Sequence, residues 1–149
     1  MKDKELFGII GSYIDELYSQ SPDCFSAILA PKLHSVSLEP LKIVMAYSPR
    51  EFMTNTALIV HGGITASYAD LTMGTLARYV TGGQFSPTVD MQVSYHKPVP
   101  AGGAVYVTAE CVSRGRTVSS FRCDIRAEGE DAILVSATGL YYTKFRQPE

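Results

Sequence analysis

Apolar side chains recur with two different periods along the chain, and the change of period separates helical from extended segments. Residues 3 to about 20 carry apolar side chains at helical spacing, and the Ser21-Pro22-Asp23 turn ends this segment. A short apolar stretch between Cys24 and Pro31 predicts one further helical turn. The chain therefore begins with an amphipathic helix, whose apolar face consists of Leu6, Ile9, Ile10, Tyr13, Ile14 and Leu17.

Alternation of apolar and polar residues next predicts two strands. The first covers about residues 33–38 and is interrupted at Pro40. The second ends at Ser48-Pro49. Residues 50–60 have no regular pattern and contain one conspicuous polar residue, Asn55, for which a turn-forming role is the simplest interpretation. One face of the second strand carries Leu41, Ile43, Met45 and Tyr47.

Residues 64–80 form a nearly uncharged helical pattern with a single acid, Asp70, about two turns from its start. Such a helix should be buried, and an ionised carboxylate is costly to bury without partners. Ala66 and Gly74, one turn away on either side, leave space for a group to approach. A structural role with Ser67 or a facing strand as partner, and a catalytic role, fit the pattern equally. The apolar stripe is Ala66, Ala69, Met73, Ala77 and Val80, with Ile64, Tyr68, Leu71 and Leu76 beside it.

The second half of the chain alternates with period two and predicts four antiparallel strands. Residues 97–103, the turn at residues 113–116 and the turn at residues 128–131 separate them, and Gly139 invites a bulge or bend in the last strand. A long buried helix followed by these strands predicts an α+β domain with the sheet wrapped on the helix. The apolar faces are Val89, Met91, Val93 and Tyr95; Val105, Val107, Ala109 and Cys111; Phe121, Cys123 and Ile125; and Ile133, Val135, Ala137 and Tyr141.

A His61-Gly62-Gly63 turn leads into the central helix. Gly62 and Gly63, placed just before the helix, would present backbone N–H groups at its positive end, where a developing oxyanion is stabilised. Most Gly-Gly pairs only change chain direction. The turn and Asp70 together therefore suggest an electrophilic end and a basic end on one segment.

Composition and charge limit the classes of function. With 149 residues, 46% of them hydrophobic and 19% charged, the chain is long enough for one domain, residues 1–149, and too short for two. The net charge of -2 does not indicate a nucleic-acid-binding protein, which usually carries excess positive charge. No apolar run reaches the roughly 20 residues that span a bilayer. We expect a soluble, cytoplasmic protein that has no membrane span.

The cysteines Cys24, Cys111 and Cys123 are odd in number and share no metal-ligand spacing. Each occurs in an apolar context, so we expect small core residues rather than a disulfide framework. No metal site is expected.

Several segments in combination resemble the PaaI-like hotdog-fold acyl-CoA thioesterases. The resemblance runs from about Lys42 to Phe145, and residues 1–20 are an additional N-terminal helix outside it. The family usually has a Gly between its Asn and His, where this chain has Leu58. Each motif alone is weak, and only the combination is specific. The motifs are Asn55, His61-Gly62-Gly63, Asp70 with Met73-Gly74, Thr88-Val89-Asp90-Met91 and the loop from Tyr95 to Gly102.

The resemblance implies a hotdog fold, in which an antiparallel sheet of five or six strands wraps a central helix. Two such subunits pair edge to edge, often as a dimer of dimers, and the active sites lie at the dimer interface. The implied substrate is an acyl-CoA, and no cofactor is expected because CoA is part of that substrate.

The resemblance also implies roles for individual residues. Asp70 would act on the thioester as general base or nucleophile, and the Gly62 N–H would polarise the carbonyl, with His61 shaping the turn. Asn55 would place substrate or water, and Thr88 would orient water. The implied contacts to substrate and CoA are Gly63, Arg114, Gly115 and Arg116.

Two alternatives stay open. A hotdog dehydratase or hydratase would also place a His and an acid, here His61 and Asp70, near an acyl thioester. A non-catalytic acyl-CoA binding module would need no chemistry at all. The identity of the acyl group also stays open, since Tyr68, Met73, Phe85 or the N-terminal helix could line its binding site.

Overall fold

A six-stranded antiparallel sheet curves around the long helix at the centre of the chain. The structure is a computed structural model that describes residues 1–144, so the end of the resemblance at Phe145 lies outside the described residues. The elements are α1 Asp3–Gln20, α2 Phe25–Ile28, β1 Lys32–Leu38, β2 Leu41–Tyr47, a 3₁₀ turn Glu51–Met53, α3 Gly62–Val80, β3 Thr88–Tyr95, β4 Val105–Ser113, β5 Val118–Ala127 and β6 Val135–Tyr142.

The strands lie in the order β1-β2-β4-β5-β6-β3, and every neighbouring pair is antiparallel. The α+β class and the antiparallel sheet predicted from the sequence are therefore confirmed. Within residues 1–144, β3 pairs only with β6, which leaves the outer edge of β3 unpaired and most of its side chains exposed. An open edge of this kind is a ready template for a further strand.

The core lies between α3 and the concave face of the sheet. Alternate residues of β2, β4 and β5 are fully buried there, as their patterns predict. The buried face of α3 also includes polar residues, of which Thr72 donates from Oγ1 to the Tyr68 carbonyl (2.8 Å) and lies 2.9 Å from the Tyr47 hydroxyl. Because these hydroxyls are satisfied locally, this part of the helix can be buried without an unpaired hydroxyl.

The start and the faces of α3 differ from the prediction. The helix begins at Gly62, two residues earlier than expected, because His61 is its N-cap and accepts a hydrogen bond at Nδ1 from the Gly63 N–H (3.0 Å). Gly62 and Gly63 are thus the first helical residues rather than a turn before it. Ala66 and Val80, expected on the buried stripe, are only half-buried.

Gly139 serves close packing rather than a bulge. It pairs in register with Met91 and Phe121, and an added Cβ would lie 2.7 Å from the Tyr141 ring and 3.1 Å from Met73 Cε. The bulge of this region lies instead in β3, between Thr88 and Asp90. Of the bulge or bend predicted at Gly139, the bulge is therefore wrong, and the glycine lets α3 approach the sheet.

Two further expectations are wrong. Ile133 lies before β6 and is 37% exposed, because the strand begins at Val135. Cys24 is exposed rather than in the core, because it caps α2 and its Sγ accepts the Ala27 N–H at 3.4 Å. No helix formed by residues 1–144 combines the length and apolar character needed to cross a bilayer.

Candidate active site

Asp70 lies in the middle of α3, half-buried, and two facing strands hold its carboxylate. Its Oδ1 accepts a hydrogen bond from Thr88 Oγ1 of β3 (2.6 Å) and another from the Tyr141 hydroxyl of β6 (2.7 Å). The alternative partner, Ser67, donates instead to the Gly63 carbonyl. The facing strands, rather than Ser67, therefore supply the hydrogen bonds to the Asp70 carboxylate.

Strand register explains why these two hydroxyls meet one carboxylate oxygen. Thr88 and Tyr141 are paired across β3 and β6, and the bulge after Thr88 lets its side chain share the helix-facing side with Tyr141. Burial raises the pKa of the Tyr141 hydroxyl well above its usual value, and the nearby Asp70 carboxylate raises it further. Tyr141 therefore keeps its proton and donates a hydrogen bond to Asp70.

The second carboxylate oxygen of Asp70, Oδ2, has no hydrogen-bond partner among residues 1–144. With Oδ1 fixed by two donors, the carboxylate plane is held while Oδ2 stays free to accept a proton. A carboxylate arranged in this way can serve as a base or as a nucleophile.

Asp70 and Thr88 line a cavity of about 440 Å³. Its walls come from the end of α1, from α2, from one face of α3 and from the loop before β3. Phe85 and the N-terminal helix wall this cavity, as the sequence allowed, whereas Tyr68 and Met73 are fully buried in the core and do not line it. The lining residues are Leu17, Tyr18, Ser21, Cys24, Phe25, Ser26, Leu29, Ser67, Asp70, Leu71, Gly74, Thr75, Arg78, Phe85, Ser86, Pro87, Thr88 and Tyr141.

Gly62 lines a different cavity, of about 320 Å³, together with Asn55 and Tyr95. The Gly62 N–H has no partner within the described chain, while its carbonyl accepts the Tyr95 hydroxyl at 2.9 Å. The Gly63 N–H is occupied by His61 Nδ1. Of the two N–H groups proposed from the sequence, Gly62 therefore offers a free donor and Gly63 does not.

Asn55 organises the turn that precedes this N–H group. Its Oδ1 accepts hydrogen bonds from the Ala57 N–H (3.0 Å) and the Ile59 N–H (3.4 Å). Leu58 adopts the left-handed conformation at φ 60° and is 74% exposed. The turn thus keeps a conformation that favours Gly although a Leu occupies it, at a cost of roughly 1–2 kcal/mol. The turn former expected from the sequence is confirmed, and Asn55 also lines the Gly62 cavity.

One chain does not bring Asp70 and Gly62 together. They are eight positions apart on one helix, which corresponds to about 12 Å along the axis. A thioester carbonyl beside Asp70 would therefore be out of hydrogen-bond reach of the Gly62 N–H of the same chain. The structure contains two partial sites, one with Asp70 and Thr88, the other with Asn55, His61 and Gly62.

Arg114, Gly115 and Arg116 form the exposed tip of the β4–β5 hairpin. A side chain at Gly115 would clash with the Val118 carbonyl, so this tight turn requires glycine. The tip lies at the same end of the sheet as Thr88. Val118, just after the tip, pairs with Tyr142 of β6, and Thr88 pairs with the adjacent Tyr141. Neither arginine forms a salt bridge with another described residue.

Tyr141 is the site residue that the sequence did not identify. It was expected only as an apolar strand residue, although a buried tyrosine usually finds a partner for its hydroxyl. That need for a partner, next to a helix with one unexplained acid, is the signal that could have found it.

The chain is similar to known proteins in both sequence and fold. The family model described as the thioesterase superfamily matches residues 59–133. Human acyl-coenzyme A thioesterase 13 is 30% identical over 95 residues, which cover 63% of this chain and 67% of that protein. The crystal structure of zebrafish thioesterase superfamily member 2 matches with a TM-score of 0.76 at 21% identity, over 96% of this chain and 99% of that chain. The E. coli PaaI protein matches with a TM-score of 0.75 at 16% identity, over 90% and 92%.

Proposed function

Since the chain belongs to the thioesterase superfamily of thioester hydrolases, we propose that it hydrolyses acyl-CoA to free CoA and a carboxylic acid at a site shared by two copies of the chain. The family match and the shared fold confirm the resemblance to PaaI-like hotdog thioesterases. The observation that carries the proposal is the Asp70 carboxylate, fixed at Oδ1 and free at Oδ2, beside a cavity with room for an acyl group.

Asp70 performs the central step. As a base, its Oδ2 takes a proton from water while the water oxygen attacks the thioester carbon; as a nucleophile, it attacks that carbon itself. Thr88 and Tyr141 donate to Oδ1 in either case and keep Oδ2 directed at the reacting group. The tetrahedral intermediate then expels the CoA thiolate, which leaves as the thiol after protonation. On the base route this step also yields the carboxylic acid. On the nucleophile route it leaves an anhydride between the acyl group and Asp70, which water hydrolyses to the carboxylic acid and the free carboxylate.

The Gly62 N–H stabilises the oxyanion of that intermediate, and it comes from the second copy. The separation of about 12 Å along α3 places Asp70 and Gly62 of one chain too far apart to act on one carbonyl. The unpaired edge of β3 offers the surface on which two copies would pair into a continuous sheet. Each site then combines Asp70 and Thr88 of one copy with Gly62 and Asn55 of the other, and His61 fixes the first turn of α3.

The CoA moiety extends toward the β4–β5 hairpin. Arg114 and Arg116 are exposed there without a salt bridge to another residue of the described chain, and Gly115 permits the tight turn that carries them. Two guanidinium groups suit the phosphates of CoA. Gly63 contributes through its hydrogen bond to His61, which orders the turn, rather than through a free N–H.

Release of free thiol from a panel of acyl-CoAs tests the function. We expect stoichiometric release of CoA and carboxylic acid from at least one of short, long, aromatic and 3-hydroxyacyl-CoAs, because the site has a free base beside an apolar cavity. The thiol is measured with a colorimetric reagent, and the acyl product is identified by mass spectrometry.

The acyl product separates thioester hydrolysis from the two alternatives. An enoyl thioester formed from the 3-hydroxyacyl substrate, with no free thiol, would identify a dehydratase. Tight binding of acyl-CoA without turnover across the whole panel would identify a binding module. Either result would contradict the proposed hydrolysis.

A further inference from the structure

Arg78 lines the same cavity as Asp70, two turns further along α3 on the same face. Gly74 lies between them and also lines the cavity, so no side chain of α3 at that position fills the space. The two backbones are about 12 Å apart along the helix axis.

The Arg78 guanidinium has no anionic partner in the described part of the chain. Its Nε is inaccessible to solvent and makes no hydrogen bond, and neither salt bridge of residues 1–144 involves it. The guanidinium lies over the Tyr13 ring, with Cζ 5.8 Å from the ring centroid. A cation that has lost part of its hydration without gaining an acceptor is unfavourable, unless a ligand supplies the acceptor.

The surroundings of Arg78 suit one kind of ligand. Asp70 and Arg78 are the only acidic or basic side chains among the residues that line the cavity, and much of the wall is apolar, from Leu17, Phe25, Leu29, Leu71 and Phe85. Tyr18 also lines it, and burial raises the pKa of Tyr18 to about 12, so its hydroxyl remains a donor near Arg78. The cavity wall therefore carries one carboxylate and one cation, whose backbone positions are about 12 Å apart along α3.

We propose that Arg78 binds a carboxylate at the far end of the acyl chain, so that the preferred substrates are CoA monothioesters of dicarboxylic acids. This inference rests on the proposed function, because it assumes that the thioester lies at Asp70. The space between the two groups corresponds to a chain of roughly five to eight carbons. The negative charge of Asp70 repels the free carboxylate and so favours the orientation in which the thioester, not the acid, reaches Asp70.

Matched substrate pairs test this assignment. CoA monothioesters of the six-, eight- and ten-carbon dicarboxylic acids are compared with unsubstituted acyl-CoAs of the same length, using wild type, Arg78→Met, Arg78→Lys and the control Arg122→Met. We expect wild type to prefer the carboxylated substrate of six or eight carbons by about tenfold or more in kcat/KM, the size expected for one charge-assisted hydrogen bond. Arg122 lies on β5 in an exposed pair with Glu110, so its loss changes net charge but not the cavity.

The ratio of the two kcat/KM values identifies the role of Arg78. Arg78→Met should remove the preference mainly through KM while preserving turnover of the unsubstituted substrate; Arg78→Lys should keep part of it, and Arg122→Met all of it. An equal loss on both substrates in Arg78→Met would mean a structural role and would overturn the inference. Release of CoA from the unsubstituted series alone would overturn the inference but not the proposed function, whereas no release from either series would overturn both.

Discussion

Asp70→Asn is expected to lower kcat for CoA release by roughly 10²- to 10⁴-fold, the usual contribution of a positioned acid or base. The amide keeps an oxygen that can accept from Thr88 and Tyr141, so both hydrogen bonds and the packing of α3 on the sheet are preserved. What disappears is the basic, nucleophilic carboxylate oxygen. Steady-state CoA release, measured together with the thermal midpoint of unfolding, checks the expectation.

Asp124→Asn is the matched control for this variant. Asp124 lies on β5, partly exposed, with Arg126 at 3.8 Å, and does not line either cavity. Its substitution should leave kcat within about twofold, as expected for a surface pair of small energetic value. Turnover in Asp70→Asn close to that of the control would remove Asp70 from the mechanism.

Gly62→Pro is expected to lower kcat by roughly 10²- to 10³-fold, the usual loss when one oxyanion donor is removed. The donor is a backbone N–H, so only proline removes it. Gly62 is the first residue of α3, where proline is well tolerated, and the ψ of 137° at His61 suits a residue before proline. The variant thus deletes one N–H group with little change to the helix.

Gly62→Ala separates the loss of the donor from the added bulk. A Cβ at position 62 would approach the Tyr95 ring at 3.2 Å in both variants, but alanine keeps the N–H. We expect Gly62→Ala to retain most of the activity and Gly62→Pro to lose it at an unchanged KM, because the oxyanion exists only in the transition state. Equal losses in the two variants would indicate the Tyr95 contact rather than the hydrogen bond.

The sequence predicts the sheet well because each strand buries one face. In β2, alternation of Leu41, Ile43 and Met45 with less buried residues leaves a single arrangement that covers the core. The start of α3 was less predictable, because Gly62 has low helix propensity and only the His61 cap places it inside the helix. A histidine cap at Nδ1 is not a common sequence signal.

The partners of Asp70 depend on long-range register, which local pattern does not contain. Simple alternation places Thr88 on the face opposite Val89 and Met91, and only the bulge after Thr88 brings it to the side of Tyr141. Thr88 was therefore expected from the family resemblance alone. Arg78 is the second omission: it is the only basic residue in the helical pattern of α3, and its position two turns from Asp70 on the same face was available from the sequence.

The site shared by two copies is the central claim, and activity restored by mixing two inactive variants tests it most directly. Asp70→Asn and Gly62→Pro are co-expressed with different affinity tags, and CoA release is measured on the mixture and on each variant alone. In a mixed dimer one site combines the intact Gly62 of one copy with the intact Asp70 of the other, so random pairing predicts recovery of about a quarter of wild-type activity. A mixture that contains mixed dimers but is no more active than the separate variants would contradict the claim.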